Sequence, residues 1–129
     1  MSQIQELHQQ AMDLAGMALV AKLRGGLNSA SQLSREAFEK ERLAAELITG
    51  DLEAEPTRSV LHCSAATLAV ECGEIHTAER LIAIALSGNP PTEIAEELKD
   101  LFVQINIDKY FARRSIAFDE AKLQSLLNG

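Results

Sequence analysis

An internal repeat restricts the fold of this chain more than any other feature of its sequence. When the sequence is shifted by 48 residues, identical small or apolar residues coincide at six positions. Alanine allows two helices to approach closely, and glycine releases the chain from the end of a helix. The repeat therefore predicts two antiparallel helical hairpins. The coinciding pairs are Ala18 and Ala66, Ala21 and Ala69, Gly25 and Gly73, Ala30 and Ala78, Leu33 and Leu81, and Ala37 and Ala85.

The hydrophobic periodicity predicts helices along most of the chain. In the N-terminal stretch, apolar residues recur at spacings of three and four, the period of a helix with one buried face. Asn28 or Ser29 is expected to cap the second helix, and Pro56 to open the third after an acidic loop. The predicted helices cover about 2–23, 28–49, 56–73, 75–86 and 92–107.

The segment 102–107 is ambiguous, because it partly alternates between apolar and polar residues as a strand does. A helical pattern runs into it from Ile94, and the sequence suggests no partner strand, so a helix is predicted. A short sixth helix is predicted from about Ala117 to Leu127. The fold class is therefore all-α.

The length of 129 residues is typical of one domain. Residues 1–129 are accordingly interpreted as a single helical domain. Hairpin one covers about 2–49, hairpin two about 56–88, and C-terminal helices about 92–128.

The spacing of the repeated residues resembles the tetratricopeptide repeat (TPR). The second copy, about 59–92, is the closer match, whereas the first copy, about 11–42, has Ser34 where a large apolar residue is usual and lacks a closing proline. The usual aromatic residue near the start is replaced by Leu14 and His62. The segment 56–98 also resembles a group of bacterial TPR-like proteins, a resemblance that implies no particular activity. The signature positions matched in the second copy are Ala66, Ala69, Gly73, Ile75, Ala78, Ile82, Ala85 and Pro90.

The TPR resemblance implies a groove lined by the first helix of each hairpin. This surface is mostly apolar, and Lys22 is its one basic residue, which argues against the clamping of a peptide carboxylate. A peptide or partner helix would fit an apolar groove, and so would the chain's own C-terminal tail. The residues expected to line it are Met12, Ala15, Leu19 and Lys22 from the first copy, and Val60, Cys63, Thr67 and Val70 from the second.

Cys63, Cys72, His62 and His76 lie close in sequence, which raises the question of a metal site or an enzyme. Cys63 and Cys72 are nine residues apart on one predicted helix, which places them on opposite faces about 13 Å apart. They cannot share one ion there, and His62 points away from Ser64, so neither a metal site nor a catalytic pair is predicted. The preferred interpretation is small buried cysteines and surface histidines, with no cofactor. The acids Glu36, Glu39, Glu41 and Glu46 are interpreted as a solvated helix face.

The net charge of −7 argues against general nucleic-acid binding, although residues 109–114 hold three bases. No apolar run is long enough to span a bilayer, the N-terminus has no signal-peptide pattern, and two cysteines make no disulfide scaffold. A cytoplasmic location is expected.

These features favour a small protein–protein interaction module. A secretion-chaperone-like binder of a partner protein is the alternative, and an enzyme or metal protein using Cys63, Cys72 or His76 is the less favoured one. Two repeats leave an apolar end uncovered, so a homodimer is expected, with the tail or the first helix in its interface.

Overall fold

The computed structural model describes residues 2–113 and 126–127, and five α-helices occupy most of this part. The all-α prediction is confirmed. Each predicted helix between residues 2 and 107 is present, with bounds that differ by at most two residues except at the end of the fifth, which extends to Arg113. The helices are α1 Gln3–Leu23, α2 Leu27–Ile48, α3 Thr57–Glu71, α4 Ile75–Leu86 and α5 Thr92–Arg113.

The two hairpin turns have the same backbone structure at an offset of 48 residues. Gly25 and Gly73 both have positive φ angles, of 83° and 78°, at the ends of α1 and α3. The following residue then donates back to the preceding helix, from Gly26 N to Ala21 O at 2.9 Å and from Glu74 N to Ala69 O at 2.8 Å. Glycine is favoured here because it adopts positive φ without a steric penalty. The repeat seen in the sequence is therefore a structural repeat.

The predicted N-cap of α2 is wrong. Gly26 is the N-cap, and no side chain caps the helix. The tight turn closes directly into α2, so the helix has already begun when the chain reaches Asn28 and Ser29. Both side chains are exposed in the first turn of α2.

The helices pack in chain order, as in a short helical solenoid. α1 packs on α2, α2 on α3 and α3 on α4, and α5 lies against both α3 and α4. Alanines of the repeat fill the centre, and Ala37, Ala66, Ala78 and Ala85 are fully buried in one core cluster. Small side chains bring the helix axes close together, which explains why the repeated positions are alanines.

The ambiguous segment 102–107 is helical, as predicted, because α5 continues through it to Arg113. Leu98 and Ile105, two turns apart on α5, are buried in the core. The apolar face of this helix thus continues into the segment that partly alternates. The predicted sixth helix lies outside the described residues, apart from Leu126 and Leu127.

None of the helices in the described part of the chain combines the length and hydropathy that a membrane span requires.

Candidate functional site

A groove lies between the first helix of each hairpin, with α2 at its base. We call it the α1–α3 groove. Its volume is about 480 Å³. Leu19 is 58% exposed, although it is a large apolar side chain. Exposed apolar surface inside a groove is a common feature of binding sites. The groove is lined by Ala15, Ala18, Leu19 and Lys22 of α1, Ala30 and Ser34 of α2, and Leu68 and Glu71 of α3.

Three of the four residues predicted from the first repeat lie together in this groove, namely Ala15, Leu19 and Lys22. Met12 is half-buried, packs against the core, and lines a separate cavity on the other side of α1. The predicted surface of α1 is thus divided between two sides of the helix.

The residues predicted from the second repeat lie on α3 but do not line the α1–α3 groove. On the α3 side, the groove is lined by Leu68 and Glu71. Val60 and Thr67 are exposed, and Val70 is half-buried. The Cys63 thiol lies 3.8 Å from the Glu97 carboxylate of α5. This side of α3 therefore adjoins α5, whereas the side that faces α1 carries Leu68, which the sequence interpretation does not include.

Charged groups of both signs border the α1–α3 groove. Lys22 and Glu71 line it together, and both also line an adjoining cavity of about 260 Å³. Arg35 lies at this second cavity, where it donates to Glu74 at 2.8 Å and to the Cys72 carbonyl at 3.3 Å. An apolar floor with a polar border suits a ligand that is itself amphipathic.

The cysteines are poor nucleophiles in this structure. Burial, together with the Glu97 carboxylate, raises the pKa of Cys63 to about 11. Burial also raises the pKa of Cys72, although Arg35 opposes it. Both thiols are therefore protonated at neutral pH. Within residues 2–113 and 126–127, no three His, Cys, Asp or Glu side chains are grouped so that they could hold a metal ion.

A hydrogen-bonded pair of half-buried His8 and buried Glu41 joins α1 to α2, and it corrects the interpretation of Glu41 as a solvated residue. Glu41 is 0% exposed, and both of its carboxylate oxygens lie within 2.9–3.0 Å of Nδ1 of His8. Glu39 and Glu46 are exposed, as predicted, and pair with Arg42. Glu41 lies on the core stripe of α2, four residues after Ala37, and this spacing could have identified it.

A second buried polar cluster ties the ends of α2 and α4 to α3. The Arg58 guanidinium is almost fully buried and donates to the carbonyls of Thr49 at 2.8 Å and Ile84 at 3.2 Å. These carbonyls lie at the C-termini of α2 and α4, where a cation is favoured by the helix dipole. The cluster is a structural crosslink between three helices.

His62 belongs to the same cluster, so its interpretation as a surface histidine is wrong. It is fully buried, with Nδ1 2.6 Å from the Arg58 carbonyl and Nε2 3.0 Å from the Thr49 hydroxyl. Burial lowers the pKa of His62, and the Arg58 guanidinium adds to this effect. A neutral His62 donates from Nδ1 to the Arg58 carbonyl, while the Thr49 hydroxyl beside Nε2 donates its one proton to the Ala45 carbonyl at 2.8 Å. His76 is exposed on α4, as predicted.

A second groove, which we call the outer groove, lies on the side of α1 away from the core. Its volume is about 910 Å³. Met17 and Val20 on its surface are 54% and 46% exposed. The sequence interpretation does not separate this surface from the α1–α3 groove. The outer groove is lined by Met12, Asp13, Gly16, Met17, Val20 and Ala21 of α1, by Arg24 and Gly26 of the turn, and by Ser29 and Leu33 of α2.

No protein-family model, curated protein or solved structure has significant similarity to the chain. Functional inference therefore depends on the grooves and their chemistry.

Proposed function

We propose that the chain is a small cytoplasmic TPR-like interaction module that holds a segment of a partner protein in the α1–α3 groove. The observation that carries this proposal is the exposed Leu19 side chain inside a groove that also contains Leu68. A surface of this kind gains free energy when an apolar partner side chain displaces water from it.

The shape and chemistry of the groove favour one or two apolar side chains of an amphipathic peptide. The volume of about 480 Å³ is sufficient for such side chains but not for a folded domain. Lys22 and Glu71 can contact polar groups that flank the apolar anchor, and these contacts would set its orientation. An amphipathic helix or a short extended segment meets both requirements.

The proposal is tested by selecting binding peptides from a random library and measuring their affinity by fluorescence polarisation. Leu19→Glu places a charge inside the α1–α3 groove, and we expect it to weaken binding of the selected peptides at least about tenfold. Leu52→Glu is the matched control, because Leu52 is also 58% exposed but lies in the loop before α3. The control should bind as the unmodified chain does.

Both variants should keep the helical circular dichroism spectrum, because both side chains are mostly solvated. Equal peptide affinity for Leu19→Glu and the unmodified chain would show that the α1–α3 groove is not the binding site. Failure to select any peptide that Leu19→Glu discriminates would count equally against the proposal.

A further inference from the structure

The outer groove is the surface of hairpin one that corresponds, through the repeat, to a buried surface of hairpin two. At an offset of 48 residues, exposed Met17 and Val20 correspond to Ala65 and Leu68, which are buried. Half-buried Leu33 corresponds in the same way to buried Leu81. Among residues 2–113 and 126–127, hairpin one thus leaves exposed a face whose counterpart hairpin two buries.

The two ends of the helical stack differ in whether a further helix packs against them. At the C-terminal end, α5 lies against α3 and α4 and buries Leu98 and Ile105. At the N-terminal end, no helix of the described residues packs over the outer groove. Two such ends can cover each other by two-fold symmetry, which gives a closed dimer instead of a growing filament.

The helical positions of the outer face support this arrangement. Val20 lies about 150° around α1 from the direction of buried Leu7 and Ala18, and Met17 lies about 90° from it, since each residue advances about 100° around the helix. Gly16 lies next to Val20 around the helix, on the side farther from Met17, and a Cβ at this position would meet no atom within 4 Å. Another helix can therefore approach α1 closely here.

The charges on this face are self-complementary. Asp13 and Arg24 are both exposed, one near each end of the outer groove, about 16 Å apart along α1. Consider two antiparallel α1 helices related by a two-fold axis that passes midway between Met17 and Val20. Two residues at the same height on the two helices then have residue numbers whose sum is 37. Asp13 then faces Arg24 of the partner subunit, and Met17 faces Val20 of the partner subunit.

We propose that the outer groove binds a second copy of this chain, with the two α1 helices antiparallel in this register. The interface has two ion pairs at its ends and an apolar centre. It uses the side of α1 away from the α1–α3 groove, so it is independent of the peptide site.

The register is tested by charge reversal in the full chain, with mass measured by sedimentation equilibrium over micromolar concentrations. The unmodified chain should have twice the 14.0 kDa mass of one chain. Asp13→Arg and Arg24→Asp each convert two attractive pairs into two repulsive ones, and each should raise the dimer dissociation constant about tenfold or more.

Two combinations restore the proposed charge pairs and should restore dimerisation. One is the double variant Asp13→Arg with Arg24→Asp in the same chain. The other is an equimolar mixture of the two single variants, because each supplies the charge that faces the other. Asp51→Arg and Lys99→Asp change the net charge by the same amounts at exposed sites elsewhere and should leave the dimer unchanged.

Circular dichroism and thermal melting establish that each variant is folded. A folded unmodified chain that stays at 14.0 kDa would overturn the proposal, and so would a series of larger species that grows with concentration. If neither single variant weakens the dimer, or if neither combination restores it, the dimer uses a different face or register.

Discussion

The hydrogen-bonded pair of His8 on α1 and Glu41 on α2 gives a sharp test of how this fold is stabilised. His8→Ala removes the partner of Glu41, which has no other hydrogen-bond partner within the described residues. Both carboxyl oxygens of Glu41 lie within hydrogen-bond distance of Nδ1 of His8. The variant therefore leaves a fully buried carboxyl group without its hydrogen-bond partner.

The structure sets the expected magnitude of this effect. Removing one partner of a fully buried pair typically costs about 3–5 kcal/mol of unfolding free energy. The His8 side chain is 39% exposed, however, so its truncation opens a path for water to the carboxylate. We therefore expect a loss of about 2 kcal/mol, near the value of one charge-assisted hydrogen bond.

The measurement is urea unfolding monitored by circular dichroism. The unfolding midpoints of the variants are compared while the dependence of the unfolding free energy on urea concentration is held constant. Adding Glu41→Gln to His8→Ala removes the buried carboxyl group and should recover part of the lost stability, which a double-mutant cycle quantifies. His76→Ala is the matched control, since His76 is exposed on α4, and it should change the unfolding free energy by less than about 0.5 kcal/mol. If His8→Ala has no larger effect than His76→Ala, the pair of His8 and Glu41 does not stabilise the fold.

Three further predictions concern the core and the second polar cluster. Ala66→Leu should lower the unfolding free energy by about 1–3 kcal/mol in urea titration, because Ala66 is fully buried and the core must shift to accept the larger side chain. Gly88→Ala should cost a similar amount, about 1–3 kcal/mol, because the new Cβ would collide with the buried, hydrogen-bonded Arg58 guanidinium; unchanged stability would show that Arg58 can move freely. Stability should also fall as pH is lowered below about 6.5, because the unfolded chain then binds the proton that buried His62 resists, and His62→Gln should reduce this slope between pH 6.5 and 5. An identical slope in the variant would exclude His62 as its source.

The sequence alone determined the helices and the repeat. Local preferences are sufficient for both, since apolar spacing establishes which face of a helix is buried and glycine ends a helix at positive φ. Gly25 and Gly73 are assigned to turns by their place in the repeat, and both have the positive φ that this assignment requires. The all-α class follows from the same signals.

The tertiary structure decided the environment of each polar side chain. Glu41 and Glu39 are both glutamates on α2, yet the first is buried against His8 and the second is exposed and paired with Arg42. Only the packing of α1 on α2 distinguishes them, because the partner of Glu41 lies 33 residues away in the chain.

The residues that line the α1–α3 groove likewise divide into those that the sequence predicts and those that only the packing of the helices determines. Ala15, Leu19 and Lys22 are predictable because they share a helical face, which is a local property of α1. Leu68 is not, because it joins them only when α3 packs beside α1 and α2. Helical periodicity shows which residues share a face of one helix. Only the packing of several helices determines whether that face is buried, as in hairpin two, or exposed among the described residues, as in hairpin one.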